Sequence, residues 1–345
     1  MVNPRTLEDW VLEALRPAGA GEAAAAGSPR ALEALRSLEA IGVRAISEED
    51  HEYPPALRAL PDPPPVLFAR GERLPVVERA VAVVGSRAAS RYGLETARRL
   101  AFDLASLGFT VVSGLARGVD AAAHRGALEA PGVTVAVLPS GLDRATPSHH
   151  RDLAEEIAGS GTLVTELAAG GPRFKGEFVK RNRLIAGLCA ATVVVEAAAK
   201  SGALTTARVA ESLGCAVLAV PGDVDRPSSQ GTHGLLRHGA RMCEDAGDVV
   251  RAVREWSGRR TGEGETRPET ASARRSGAEQ EGGAGAICGP EARLLEMLDD
   301  QGLRAEDLAA RAGLDLSQTL ASLLSLQWSG LAEARPGNRW ARVRR

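Results

Sequence analysis

Between Val76 and Arg254 the chain alternates short apolar runs with amphipathic stretches, and this pattern constrains the fold more than any other feature. The runs are VAVVG (81–85), FTVVSG (109–114), VTVAVLPSG (133–141), TLVTE (162–166), ATVVVE (191–196) and CAVLAVPG (215–222). Helical stretches such as LETARRLAFDLASLG and TARVAESLG lie between them. Apolar runs of this kind fit strands buried on both faces, and helical crossovers between such strands build a doubly wound, mainly parallel α/β sheet. That sheet is expected to form a domain over residues 76–255.

The flanks read differently. In residues 1–75, Leu32, Leu35 and Leu38 recur at helical spacing, which predicts a small helical N-terminal accessory region. An extended lead-in, YPPALRALPDPPPVLFARGE, follows and ends in a short apolar strand at Val66–Ala69. Proline fixes its own φ and removes a donor, so this stretch is expected to be extended connection rather than helix. Residues 257–288 are dominated by Gly, Ser, Glu and Arg and lose their apolar anchors, which predicts a disordered linker over 256–289. Residues 290–345 recover helical periodicity in EARLLEMLDD, AEDLAARAG and LSQTLASLLSLQWSGL, then end in EARPGNRWARV. Three helices and a terminal hairpin suit a winged-helix domain.

With 345 residues, 44% of them hydrophobic, the chain is long enough for more than one domain and apolar enough for a core. Its net charge is −2, so a nucleic-acid binder of this composition must gather its cations in one patch. The four cysteines, Cys189, Cys215, Cys243 and Cys288, form no CxxC pair, which argues against a disulfide framework or a zinc site. The first residues, MVNPRTLEDWVLEAL, lack the apolar core of a signal peptide, and no run reaches membrane-spanning length. The expectation is a soluble cytoplasmic protein without membrane contact.

The segment Phe178–Leu188, FVKRNRLIAGL, sets Lys180, Arg181, Asn182 and Arg183 beside an aromatic ring, in a chain with only 3% aromatics. Cations next to a stackable ring suit single-stranded nucleic acid, where phosphates meet charge and bases meet the ring. Ligands of open parallel sheets bind outside the carboxyl ends of the strands. The loops expected there are GSRAASRYG (85–93), SGLARGVDAAAH (113–124), PSGLDRATP (139–147), AAAKSGALTTA (197–207) and PGDVDRPSSQGTHG (221–234). Glycines turn backbone N–H groups toward an anion, and helix N-termini add partial positive charge. Arg87, Arg117 and Lys200 supply full charges there, and Ser86, Ser113, Ser201, Thr205 and Thr206 supply hydroxyls.

Other chemistries find less support. Gly85 is followed by Ser86 and Arg87, so the first loop departs from G-x-G-x-x-G, and no GxxxxGK[ST] occurs. Asp120 and His124 stand four apart on a predicted helix; the plain reading is an Asp at a helix start with a packed His behind it. Glu166 and Glu196 end strands at the ligand edge and are expected to serve as structural ion-pair partners. No nucleophile–base arrangement, metal-ligand spacing or cofactor motif stands out.

Taken together, GSRxxSxYG (85–93), SGxARGVDxxAH (113–124), FVKRNRLIAGL, EAAAKSGALTTA (196–207) and VPGDV…SSQGTHGLLRHGA (220–240) resemble the DNA-processing protein A (DprA/Smf) family. The resemblance runs over residues 50–250, and the tail is similar to the winged helix that some members carry. It implies an extended Rossmann-like fold that binds and protects single-stranded DNA and loads the RecA recombinase in natural transformation and recombination. It implies no enzymatic activity, and it implies a homodimer. Carried over residue by residue, it makes Arg87 of GSR, Arg117 of ARG and Lys200 of KSG phosphate contacts, with the helix openings at Gly118 and Gly202 placing backbone amides. It makes Phe178 a base-stacking ring, with Lys180, Arg181, Asn182 and Arg183 around it. The chain departs from the family pattern at Val179, where FPxRNR has proline. It departs again at Ala145–Pro147 in place of a YP pair, at PSG in place of GxG, and at TELAAGG in place of SE-Y-PPG. These changes loosen the pocket and leave the phosphate-contacting residues in place.

The candidate recognition helix of the tail, Leu316–Trp328, contains no Lys or Arg; the cations Arg339, Arg342, Arg344 and Arg345 lie in the wing and tail. A protein contact or a weak phosphate contact fits it better than duplex reading. Two alternatives stay open on the same phosphate loops. One is a nucleoside-monophosphate hydrolase on a lysine-decarboxylase-like scaffold, although KSGALTTARVAE puts Lys200–Ser201 where PGGxGTxxE has its glycine pair. The other is a nucleotide sensor joined to a winged helix.

Overall fold

The computed structural model describes residues 36–143, 148–168, 175–261, 290–299, 302–328, 331–335 and 339–343. The expected helical spacing of Leu32 and Leu35, the segments 145–147 and 169–171, linker residues 262–289, and Arg344 and Arg345 lie outside them. Two compact units divide after Ser257.

In the first unit, strands β1 (Val43–Ser47), β2 (Val66–Gly71), β3 (Ala80–Gly85), β4 (Thr110–Ser113), β5 (Thr134–Val137), β6 (Thr162–Thr165), β7 (Ala191–Val195), β8 (Ala216–Ala219) and β9 (Arg241–Met242) form one sheet. Their order is β1-β2-β6-β5-β4-β3-β7-β8-β9. From β6 to β9 every pairing is parallel; β1 and β2 join antiparallel at one margin. The helices are α1 (Pro55–Arg58), α2 (Arg91–Ser106), α3 (Val119–Glu129), α4 (Arg151–Ser160), α5 (Lys175–Gly187), α6 (Ala203–Ser212), α7 (Gln230–Arg237) and α8 (Ala246–Thr261).

All six expected strands are present. Alternate residues of one strand serve opposite faces, as the two-residue period of a strand requires. Val135 and Val137 join Leu184, Ile185, Leu204 and Ala207 of α5 and α6. Ala136 and Leu138 join Ala121, Leu153 and Ile157 of α3 and α4. Helix α2 opens at Ser90, whose side chain accepts from the Gly93 N–H, buries Ala97, Leu100, Ala101 and Leu104, and is followed by Gly108 at φ 76°.

Two features differ from expectation. The proline-rich lead-in, expected to be extended rather than helical, contains the short helix α1 with Pro55 at its first position, where the missing N–H costs nothing. Its expected strand at Val66–Ala69 is present as β2, which joins the sheet with β1 beside it. Tyr53, Leu57 and Leu60 between them lie in the same core as α5. The Tyr53 hydroxyl donates to the Pro64 carbonyl at 2.7 Å, so the proline-rich stretch is tied down by a buried hydrogen bond. At the other end, residues 256–261 of the expected linker continue α8, with Trp256 only 3% exposed.

The second unit contains α9 (Pro290–Met297), β10 (Leu303–Arg304), α10 (Ala305–Ala312), α11 (Leu316–Trp328), β11 (Ala332–Arg335) and β12 (Arg339–Arg342). The strands pair antiparallel in the order β10-β12-β11. Leu294, Leu308, Leu323 and Trp340 are buried in this winged-helix arrangement.

Candidate nucleic-acid interface

The sheet is built outward from β3. Strands β4, β5 and β6 follow on one side; β7, β8 and β9 follow on the other. The loops leaving β3 and β7 therefore diverge, and a crevice opens at the carboxyl ends of these two strands. The crevice is a cavity of about 810 Å³ whose walls include Arg87, Phe178, Lys200 and Ser201.

Its base depends on close backbone approach. A Cβ at Gly85 would stand 1.9 Å from the Val195 carbonyl oxygen. Just beyond, Glu196 is 4% exposed at φ 49° and binds the β3–α2 loop. Its carboxylate accepts from the Ser90 N–H at 2.8 Å and from the Ser90 hydroxyl. Glu196 thus holds a helix-capping serine rather than an arginine, which differs from the ion-pair role expected of it. Sequence offers a faint signal for this contact, since Ser90 occupies an N-cap position.

Above this base, the Arg87 guanidinium lies over the Phe178 ring, 4.9 Å from its centroid. Arg87 and Lys200 are exposed, and Phe178 is half-buried. The Ser201 hydroxyl accepts from the Ala203 N–H at 3.3 Å and shapes the opening of α6.

Helix α5 divides the FVKRNR residues between two environments. Phe178, Arg181, Asn182 and Ile185 face the cleft, as the spacing of neighbours on one helix face requires. Arg181 and Asn182 form its floor, being 4% and 8% exposed. Arg181 Nη1 donates to the Gly114 carbonyl at 2.7 Å and also to the Val137 carbonyl; its Nε donates to Asn182 Oδ1 at 3.2 Å. Asn182 Nδ2 reaches the Gly202 carbonyl at 3.2 Å. A Cβ at Gly114 would stand 2.3 Å from Arg181 Nη1, so a side chain there would displace the guanidinium from its carbonyl partners. Burial lowers the Arg181 pKa to about 10, with Asp120 opposing that shift and Arg87 adding to it. Arg181 is therefore a buried cation beneath the cleft, with its guanidinium committed to the main chain.

Lys180 and Arg183 do not line the cleft around Phe178. Arg183 Nη2 lies 2.6 Å from Glu166 and 3.5 Å from Asp62; Lys180 Nζ lies 3.8 Å and 3.9 Å from the same carboxylates. Glu166 is an ion-pair partner, as expected. Burial raises its pKa, and Arg183 and Lys180 oppose that shift. Thr206, not Thr205, lines the cleft. Ser86 and Gly202 line it, whereas Arg117 and Gly118 line a second cavity that also includes Arg87.

Asp120 and His124 form no acid–base pair. Buried Asp120 accepts from the Gly114 and Ala116 N–H groups at 3.2 Å and 3.4 Å. Burial raises its pKa, and Arg181 opposes the shift. His124 Nδ1 lies 2.7 Å from the Thr134 hydroxyl, which donates to the Val111 carbonyl. The hydroxyl proton is thereby used, so His124 donates from Nδ1. Burial lowers its pKa to about 3, and it stays neutral. Among the described residues no group of three or more His, Cys, Asp or Glu is placed to hold a metal. None of their helices is long and apolar enough to cross a membrane.

Known proteins resemble this chain over much of its length. The family model for DNA recombination-mediator protein A matches residues 44–254, and the DprA winged helix domain matches residues 288–338. A putative DNA processing protein DprA of Mycobacterium tuberculosis is 41% identical over 329 residues, 91% of this chain and 81% of that protein. Protein Smf of Escherichia coli is 35% identical over 304 residues, 87% of this chain and 77% of its own. The X-ray structure of DprA from Streptococcus pneumoniae superposes with TM-score 0.57 at 34% identity, covering 63% of this chain and 77% of that one. A DprA structure from Helicobacter pylori, described for its single-stranded DNA binding mode, superposes with TM-score 0.56 at 29% identity. It covers 61% of this chain and 95% of that one.

Proposed function

The chain belongs to the DNA recombination-mediator protein A family, and from that premise we propose that it binds single-stranded DNA in the cleft between β3 and β7. It protects the strand and loads the RecA recombinase onto it, in natural transformation and recombination, as a cytoplasmic homodimer with no catalytic chemistry of its own. A protomer has one such cleft, so a dimer holds a longer strand and presents it as a nucleus for a recombinase filament.

The observation that carries the reading is the Arg87–Phe178 stack facing Lys200 across the sheet's switch point. A guanidinium over a ring leaves its outward N–H groups for a phosphate while the ring offers an apolar face to a base. Stacking of this kind contributes about 1–3 kcal/mol per base without selecting the base. The single-stranded DNA binding mode described for the Helicobacter pylori neighbour supports the same ligand class. Arg181 and Asn182 act in this reading by holding the floor and adding positive potential, and Lys180 and Arg183 by anchoring α5.

Fluorescence anisotropy with labelled single and double strands at two salt concentrations tests the proposal. Selective, salt-sensitive single-strand binding is expected, weakened about tenfold or more in Phe178→Ala and in Lys200→Ala. Equal affinity for duplex, or binding indifferent to both substitutions, overturns it. RecA loading has its own readout, faster filament assembly on coated single strands in the presence of this protein.

A further inference from the structure

A second cavity, of about 610 Å³, opens between α2 and α3, and Arg87 is a wall of both cavities. The helices meet closely beneath it: a Cβ at Gly126 would stand 2.0 Å from the Arg98 carbonyl oxygen. Both carboxylates that line it are engaged, Glu95 with Arg91 at 2.7 Å and Glu129 with Arg98 at 2.6 Å. Arg117 and Arg125 also line it; both are exposed and have no ion-pair partner among the described residues. The groove therefore carries uncompensated positive charge, continuous with the first cleft through Arg87.

We infer that this groove is a second segment of the polynucleotide path. A single strand seated against Phe178 continues over Arg87 into the α2–α3 groove, where Arg117 and Arg125 take its phosphates. The inference rests on the single-strand reading of the first cleft. The remaining groove walls are alanines, Gly118, Leu94 and His150, which is buried with Nδ1 3.0 Å from the Leu115 carbonyl oxygen, so no Phe, Tyr or Trp is there to stack a base. This segment adds length- and salt-dependent affinity without base preference, whereas the first cleft adds stacking.

The test measures anisotropy of oligothymidylates of about 5 and about 25 nucleotides, lengths that bracket common single-strand site sizes. Wild type, Phe178→Ala, Arg125→Ala and Arg125→Glu are compared. Phe178→Ala is expected to weaken both lengths. Arg125→Glu is expected to weaken the long oligomer about tenfold and leave the short one unchanged, which also shows that the variant is folded. Arg125→Ala is expected to reduce the salt slope for the long oligomer by about 0.7. If Phe178→Ala weakens both lengths and Arg125→Glu changes neither, the second segment is wrong while the first cleft stands. Equal losses on both lengths in Arg125→Glu would make the two cavities one site and overturn a two-segment path. Absence of single-strand binding in wild type removes the functional reading itself.

Discussion

Gly85 ends β3 where a Cβ would meet the Val195 carbonyl at 1.9 Å, so Gly85→Ala must push β3 and β7 apart under the cleft. The expected cost is about 3 kcal/mol, read as a lower urea midpoint; an unchanged midpoint refutes the close approach. At His124 the expected effect is on pH dependence. The folded protein refuses a proton down to about pH 3, while an unfolded histidine accepts one near about 6.5. The unfolded state then binds more protons between these values, so this residue's contribution to stability falls as pH drops below that upper value. Asp103, raised to about 6 chiefly by burial, works in the opposite direction. The diagnostic quantity is therefore the difference between wild type and His124→Gln: wild type should lose more stability than the variant between pH 7 and pH 5. Equal slopes would show that His124 titrates normally. Sequence shows that Gly85 and His124 are there; the carbonyl and the hydroxyl that give them meaning are contributed by other strands.

Helix α5 shows how one motif serves two ends. Phe178 enters the cleft, and Arg183 on another face pairs with Glu166 at the end of β6. Arg183→Ala replaces a 2.6 Å ion pair at the buried Glu166 carboxylate with the looser Lys180 contact at 3.8 Å, with Glu177 adding like charge, and should destabilise by about 3 kcal/mol. Among the described residues Arg183 Nε and Nη1 have no hydrogen-bond partner although they are buried, so the pair already carries a desolvation cost. The double replacement Arg183→Met with Glu166→Leu should recover most of the loss in chemical denaturation. A double variant as unstable as the single one would mean that the pair has some other role. The winged-helix unit offers a contrast: α11 has no Lys or Arg, and Arg339 donates to the Gly302 carbonyl at 3.1 Å, which leaves this element poorly equipped to read a duplex groove.

Across the whole molecule, a net charge of −2 coexists with a cationic track made by Lys200, Arg87, Arg117 and Arg125. The four phosphate contacts proposed for this track predict a plot of log affinity against log salt with a slope of about −3 for a long single strand. A slope near zero would exclude phosphate contacts as the source of affinity. The track exists because the chain turns back across β3, which brings loops after β3, β4 and β7 to one edge from positions far apart in sequence.

The parallel sheet was legible in the sequence because strands buried on both faces must be apolar throughout, and six such runs stand between helical stretches. Arg87, Phe178 and Lys200 could be singled out because charge beside glycine or an aromatic is unusual chemistry for a plain turn. Other features emerged only from tertiary structure. β2 joins the sheet by pairing with β6 and carries β1 at its outer side, and no local pattern encodes a partner as distant as β6. FVKRNR likewise looks uniformly basic as a string. Helical geometry and the positions of Glu166, Gly114 and Val137 decide that Arg181 is buried under the cleft, that Lys180 and Arg183 face carboxylates, and that Phe178 stays near solvent under Arg87. Residue type determines what a side chain can bind, whereas the packing of remote elements determines which of those bonds are already made.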